Sequence, residues 1–84
     1  MEKHFVSGVP YTQIVNYLKE ELALKSMGAG AFCYKNAVIR IVQMEPRALG
    51  NISLPRNEIK MQGDATDIQE FEHVFLMRFL SAGG

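Results

Sequence analysis

The chain has 84 residues, of which 48% are hydrophobic, and its nine Lys and Arg residues balance nine Asp and Glu residues. This length predicts one domain, spanning residues 1–84, and the composition argues against disorder, collagen and coiled coil. No apolar run approaches the roughly 18 residues of a membrane-spanning helix, so the sequence predicts a small soluble protein with no membrane association.

The cysteine content and the first residues bear on the compartment. The single cysteine, Cys33, cannot form an internal disulfide. The first residues lack the basic stretch, apolar core and cleavage site of a secretory signal. The sequence therefore predicts a reducing, cytoplasmic location.

The first third of the chain predicts a strand followed by a helix. Residues 3–7 are a short strand candidate, closed by Pro10, which cannot continue a strand interior. Apolar residues at helical spacing then predict an amphipathic helix. We expect that helix to end near residues 25–30, with Gly28 in the left-handed cap position.

The middle of the chain predicts a hairpin of two strands. Residues 31–34 and 37–44 are strand candidates, the second of them rich in β-branched residues, and Lys35 and Asn36 lie between them as a short turn. Within residues 37–44, both the odd-numbered and the even-numbered positions carry apolar side chains, which predicts a strand covered on both faces.

The remaining residues predict a loop, two strand pieces and a final helix. We expect a loop over residues 45–50, strand pieces at residues 51–54 and 58–62, and a helix that Thr66 caps. The resulting fold is a two-layer α+β sandwich, approximately β-α-β-β-β-α, with two helices on one face of a mainly antiparallel sheet. The strand order stays open.

The final segment has more apolar surface than one helix face needs. A helix would place Ile68, Phe71, Phe75 and Phe79 on one stripe facing the core. Leu76, Met77 and Leu80 would then form a second stripe with no assigned partner. Residues 72–80 are also compatible with a strand, although the capping pattern and the acids that precede them favour a helix.

The second stripe and the two-faced strand together suggest a protein contact. We expect a non-catalytic interaction or binding module that acts as a homodimer or as a subunit of a larger assembly. The residues predicted to form its interface are Val38, Arg40, Val42, Met44, Leu76, Met77 and Leu80.

Binding of nucleic acid is an alternative function. The segment from residue 35 to residue 61 carries an excess of positive charge, and cations on a sheet surface near Tyr34 could contact phosphates while the ring stacks on a base. The residues that would do so are Lys35, Arg40, Arg56 and Lys60.

The last two residues, Gly83 and Gly84, suggest another alternative. A diglycine after an apolar segment resembles the ubiquitin-like sulfur-carrier proteins, whose terminal carboxylate is adenylated and converted to a thiocarboxylate. The resemblance implies a sulfur-carrier role and covers these two residues. Those families place a strand directly before the tail, where this sequence predicts a helix.

Catalytic and metal-binding patterns are missing from the sequence. His4 and His73 are far apart, and Cys33 has no base or metal-ligand spacing beside it. The sequence therefore predicts no catalytic residues, no metal site and no cofactor, and an enzyme is the less favoured interpretation.

Overall fold

A computed structural model describes residues 1–82, with side chains given through Leu80. The element order is β-α-β-β-β-β-α, one strand more than the sequence predicts. The elements are β1 (Glu2–Ser7), α1 (Tyr11–Asn16) continued by a π-helical turn (Tyr17–Glu21), β2 (Lys25–Gly28), β3 (Ala31–Tyr34), β4 (Ala37–Leu49), β5 (Ile52–Gly63) and α2 (Ala65–Ala82).

The five strands form one antiparallel sheet in the order β1-β5-β4-β3-β2. The long strands β4 and β5 pair at its centre, with Ile41 opposite Ile59. Strand β1 pairs with the other edge of β5, where Phe5 lies opposite Ile59. The sheet edges are therefore β1 and β2.

Both helices pack on the same face of this sheet, which confirms the predicted α+β sandwich. Alternate residues of the central strands, among them Ile39, Ile41, Ile59 and Met61, point toward the helices and are buried. They meet apolar side chains of both helices, namely Ile14, Tyr17, Leu18, Ile68, Phe71 and Phe75. The other face of the sheet has no helix over it among residues 1–82.

The first helix ends earlier than predicted. It stops at Glu21, where the Leu24 N–H donates to the Leu18 carbonyl at 2.9 Å and Ala23 takes a left-handed φ of 52°. Ala23, rather than Gly28, therefore occupies the left-handed position after the helix. The residues that follow are free to form β2, which the sequence pattern does not predict.

The predicted loop over residues 45–50 is wrong, because β4 continues to Leu49 and turns back at residues 50 and 51. The two predicted strand pieces are one strand, β5. Pro46 and Pro55 meet at a bulge where Glu45 and Pro46 together face Pro55, and the register resumes with Arg47 opposite Leu54. A bulge interrupts the hydrogen-bond ladder, so proline needs no N–H there.

The final segment is a helix throughout the described residues, so residues 72–80 do not form a strand. It begins at Ala65, and the Asp64 carboxylate accepts from the Asp67 N–H at 3.0 Å. Asp64 is therefore the cap, in place of the predicted Thr66. Phe71 and Phe75 are buried and Phe79 is partly buried, which confirms the predicted core stripe.

Candidate interaction surfaces

The structure separates the predicted interface into two surfaces. Val38, Arg40, Val42 and Met44 alternate with the buried residues of β4, so they lie on the sheet face without helices. Leu76, Met77 and Leu80 belong to α2, on the opposite side of the sheet. A single flat contact cannot include both groups.

The first surface, which we call the open face, continues along the hairpin formed by residues 45–56, which we call the arm. Cross-strand partners share a sheet face, so the pairs Met44–Arg56, Arg47–Leu54 and Leu49–Ile52 fix the side chains of the arm. Strand β1 contributes its own alternate residues through the pairing of Val6 with Glu58. On β1, β4 and β5 the open face comprises Glu2, His4, Val6, Val38, Arg40, Val42, Met44, Arg47, Leu49, Ile52, Leu54, Arg56, Glu58, Lys60 and Gln62, and on β2 and β3 it includes Lys25 and Cys33.

Large apolar side chains collect on the open face. Val6 is 49% exposed, Leu49 is 49% exposed and Ile52 is 61% exposed, and Leu54 is exposed beside them. Val42 and Met44, between the arm and Val6, are half-buried. A sheet face in contact with water normally carries polar residues, so the apolar content of the open face departs from that pattern.

Positive charge crosses the centre of the open face. His4, Lys60 and Arg40 are successive cross-strand neighbours in one row. Lys60 has a carboxylate partner, Glu58, at 3.8 Å. Arg40, Arg47 and Arg56 form no ion pair with any described residue, so their charge is available to a ligand.

The four cations of the predicted nucleic-acid surface do not all meet. Arg40, Arg56 and Lys60 share the open face, whereas Lys35 lies in the β3–β4 turn and binds Glu70 of α2. Tyr34 does not stack at this surface, because it points to the helix side, where its hydroxyl donates to Glu70 at 2.6 Å. Its burial, together with the Glu70 contact, raises the pKa of Tyr34 to about 12.

Three glutamates of the helix side, Glu21, Glu70 and Glu72, form ion pairs within the chain. The Arg78 guanidinium donates two hydrogen bonds to Glu21, at 2.9 and 3.0 Å, and holds the pKa of that carboxylate below its ordinary value. The bond from Lys35 and that from Tyr34 lower the pKa of Glu70 in the same way. Lys3 binds Glu72 at 2.7 Å. These ion pairs on the helix side contrast with Arg40, Arg47 and Arg56 of the open face, which have no ion-pair partner among the described residues.

The second surface is the flank of α2 that faces strand β1. Leu76 packs partly against the core, whereas Leu80 is 68% exposed. A groove of about 290 Å³ separates this flank from the edge of the sheet; residues 5–9 form one wall and Phe75, Leu76, Phe79 and Leu80 the other. Met77 is exposed but does not line the groove.

Sequence reasoning missed the apolar residues of the arm and of β1. Leu49, Ile52 and Leu54 were assigned to a loop and a short strand piece, and Val6 to an isolated strand. The alternation of Ile52, Leu54, Arg56, Glu58 and Lys60 along one unbroken strand is a signal that could have found them.

The remaining chemistry-bearing residues are dispersed. Cys33 is partly exposed, and its Sγ contacts the Met27 sulfur at 3.2 Å. No group of three or more His, Cys, Asp or Glu within residues 1–82 is arranged to hold a metal ion. None of the helices in that range is long and apolar enough to span a membrane. Gly83 and Gly84 lie outside the described residues, and α2 rather than a strand precedes them.

The chain matches no protein-family model, and no curated protein matches it either.

Proposed function

We propose that this chain is an interaction module, a subunit of a larger assembly, that docks its open face on a protein partner. The partner presents apolar side chains flanked by carboxylates. The observation that carries this proposal is the sheet face that no described helix covers, with Val6, Leu49, Ile52 and Leu54 exposed on it.

The apolar residues supply the reason for docking. Covering exposed apolar surface contributes about 25 cal/mol per Å², and an aliphatic side chain of this size gives on the order of 1–2 kcal/mol. The arm extends the surface beyond the part of the sheet that the helices cover, so a partner can contact the arm and the sheet together. Packing of this kind places two layers about 10 Å apart, with interdigitated side chains.

The cations specify the chemistry of the partner. Arg40 and Lys60 occupy the centre of the surface, and burying them without carboxylates opposite would cost more than the apolar contacts return. In a face-to-face dimer of two copies, Arg40 and Lys60 of one copy would lie opposite the same cations of the other copy. An acidic and apolar partner is therefore favoured over self-association through this face.

A protein is favoured over nucleic acid as the partner. Nucleic-acid-binding sheets stack several bases on aromatic side chains, and the open face of the described residues has no Phe, Tyr or Trp and only one His, His4. Its exposed residues are aliphatic, which matches a protein interface.

The experiment is selection of binders from a display library of random linear peptides against the wild-type protein. We expect the enriched sequences to combine Leu, Ile or Phe with Asp or Glu. Binding should fall by about tenfold or more for Leu54→Ser, which removes an apolar contact, and for Arg40→Glu, which reverses a central charge.

Two variants on the helix side are matched controls. Lys19→Glu makes the same change in net charge as Arg40→Glu, and Met77→Ser removes an exposed apolar side chain as Leu54→Ser does. Both should bind the selected peptides like wild type. Enriched sequences that bind all four variants equally would contradict the proposal. So would tight binding of a single-stranded RNA that disappears in Arg40→Glu, because it would assign the face to nucleic acid.

A further inference from the structure

The edge strand β1 has unused hydrogen-bonding groups on a defined set of residues. The Met1 amino group donates to the Gly63 carbonyl at 3.0 Å and the Gly63 N–H donates to the Met1 carbonyl at 3.0 Å, so these two residues form a hydrogen-bonded pair. Such pairs alternate along an antiparallel ladder. The backbone groups of Lys3, Phe5 and Ser7 therefore bond to β5, and those of the alternate residues point away from the sheet.

The outward-pointing residues are Glu2, His4 and Val6. Their N–H and C=O groups form an open ladder, the template on which a further strand can pair. No described residue of the chain pairs with this edge.

Helix α2 extends the layer above this edge. Its Glu72 binds Lys3 at 2.7 Å, and Phe75 packs on Phe5 with ring centroids 5.5 Å apart, so the helix lies along β1. Leu76 and Leu80 line the groove of about 290 Å³ between this helix and residues 5–9. A strand added to the edge would lie beneath these two leucines.

We propose that the occupant of this edge is a second copy of the chain, which pairs its own β1 antiparallel to the first about a two-fold axis. The two sheets then join into one ten-stranded sheet, and the two α2 helices pack through Leu76 and Leu80. This contact uses the backbone edge of β1 and the flank of α2 rather than the side chains of the open face, apart from Val6, which lies on the open face and also lines the groove, and it does not depend on the function proposed above.

Charge supports a second copy as the occupant. None of the residues lining the groove is charged, so a strand with exposed charges would bury them unpaired. A second copy brings the same uncharged lining, and its Lys3 and Glu72 neutralise each other within the protomer. The groove linings of the two copies therefore meet without charge.

A stable dimer sets a minimum size for this contact. A specific dimer buries roughly 800 Å² on each partner, about a seventh of the 5475 Å² that the chain exposes. The six residues of β1 span roughly 20 Å, and the flank of α2 adds a second layer to the contact.

The test compares oligomeric state by sedimentation across micromolar to millimolar concentrations. Wild type should dimerise. His4→Pro removes an outward N–H that the monomer does not use, and proline is tolerated at such edge positions. It should raise the dimer dissociation constant about 100-fold, because a two-fold dimer contains the substitution in both copies and loses the hydrogen bond twice. His4→Ala keeps the N–H and should dimerise like wild type.

A second pair of variants tests the helix contact. Leu80→Glu places a charge against the groove and should abolish the dimer, whereas Met77→Glu, equally exposed on the same helix but outside the groove, should not. Circular dichroism confirms that each variant is folded.

Amide hydrogen exchange gives a direct signature of the pairing. Raising the protein concentration should slow exchange at Glu2, His4 and Val6, and should leave Lys3, Phe5 and Ser7, which already bond to β5, unchanged. A wild-type monomer at millimolar concentration would overturn the proposal, as would a dimer that both His4→Pro and Leu80→Glu leave intact.

Discussion

At the scale of single residues, two backbone positions fix how the strands meet. Gly63 ends β5 with a φ of +135°, a conformation that side chains disfavour. A Cβ built there would lie 2.4 Å from the Asn36 carbonyl oxygen and 2.8 Å from the Ala37 Cα. Gly50 also has a positive φ, of 61°, but nothing lies within 4 Å of its Cβ position.

We therefore expect Gly63→Ala to be far more harmful than Gly50→Ala. The clash at Gly63 is with backbone and cannot be relieved by a side-chain movement, so the loss should be about 3 kcal/mol or more. Gly50→Ala carries only the conformational cost, about 1–2 kcal/mol. Urea unfolding measures both, and equal losses would show that the two strands meet differently from the structure.

Glu70 provides a pH-dependent contribution to stability. Hydrogen bonds from Lys35 and Tyr34 hold its folded-state pKa below the ordinary value of 4.5. Its contribution is therefore complete above that value and is lost as the pH falls through the lowered pKa. The free energy of unfolding of wild type should exceed that of Glu70→Gln at neutral pH, and the difference should shrink below pH 4.5. Lys35→Met should weaken the same dependence, and a difference that grows with acid would contradict the assignment.

At the scale of elements, α2 shows what helical periodicity can and cannot predict. The stripe of Ile68, Phe71 and Phe75 follows from spacing alone, because each residue advances about 100° around a helix. Spacing also separates Leu76 and Leu80 from that stripe. It does not reveal that these leucines line a groove beside the edge strand, since the position of β1 depends on pairing between residues fifty or more apart.

The two sides of α2 should differ sharply in their effect on the stability of the monomer. Phe75→Ala empties a buried site between Phe5, Tyr17 and Phe71, and should cost about 3–5 kcal/mol. Leu80→Ala should cost under about 1 kcal/mol, because Leu80 is 68% exposed. Thermal unfolding at concentrations below dimer formation measures both values. Similar losses would mean that Leu80 is covered within the chain.

The β4–β5 hairpin shows where sequence reasoning failed at this scale. Two prolines and a glycine in residues 46–55 favoured a loop, because each disrupts regular pairing. The two prolines instead lie on opposite strands of one bulge. Their position there depends on the register of the two strands, which no local sequence pattern shows. The first helix ended early for a similar reason, because Ala23, a residue without turn preference, takes the left-handed position.

The arm should be dispensable for folding. None of residues 45–56 is buried, and Met44 and Arg56 are cross-strand partners. Replacing residues 45–55 by Asn-Gly joins the strands with a favoured two-residue turn. The shortened protein should unfold cooperatively near the wild-type temperature and should bind the selected peptides at least about tenfold more weakly. Loss of cooperative unfolding would show that the arm belongs to the core.

At the scale of the whole molecule, the two sides of the sheet differ in chemistry. The helix side carries most of the acids, and each of Glu21, Glu70 and Glu72 has a cationic partner. The open face carries arginines without described partners and aliphatic side chains without cover. This sidedness supports a docking role for the open face.

The sequence predicts part of this difference between the two sides of the sheet. The alternation of Val38, Arg40, Val42 and Met44 identified a second apolar strand face, and the class of fold followed from the element pattern. The sequence could not separate the strand surface from the α2 stripe, because the side of the sheet on which a helix packs is a tertiary property. It also could not show that Lys35 and Tyr34 lie on the helix side, where Glu70 binds both.

The most direct test of the open face is the methyl NMR spectrum of the protein with the tightest selected peptide. Binding at the open face should shift the methyl signals of Val42, Met44 and Leu54, and should leave those of Met77 and Leu80 in place. Shifts confined to Met77 and Leu80, with the three open-face residues unchanged, would contradict the assignment of the open face as the binding surface.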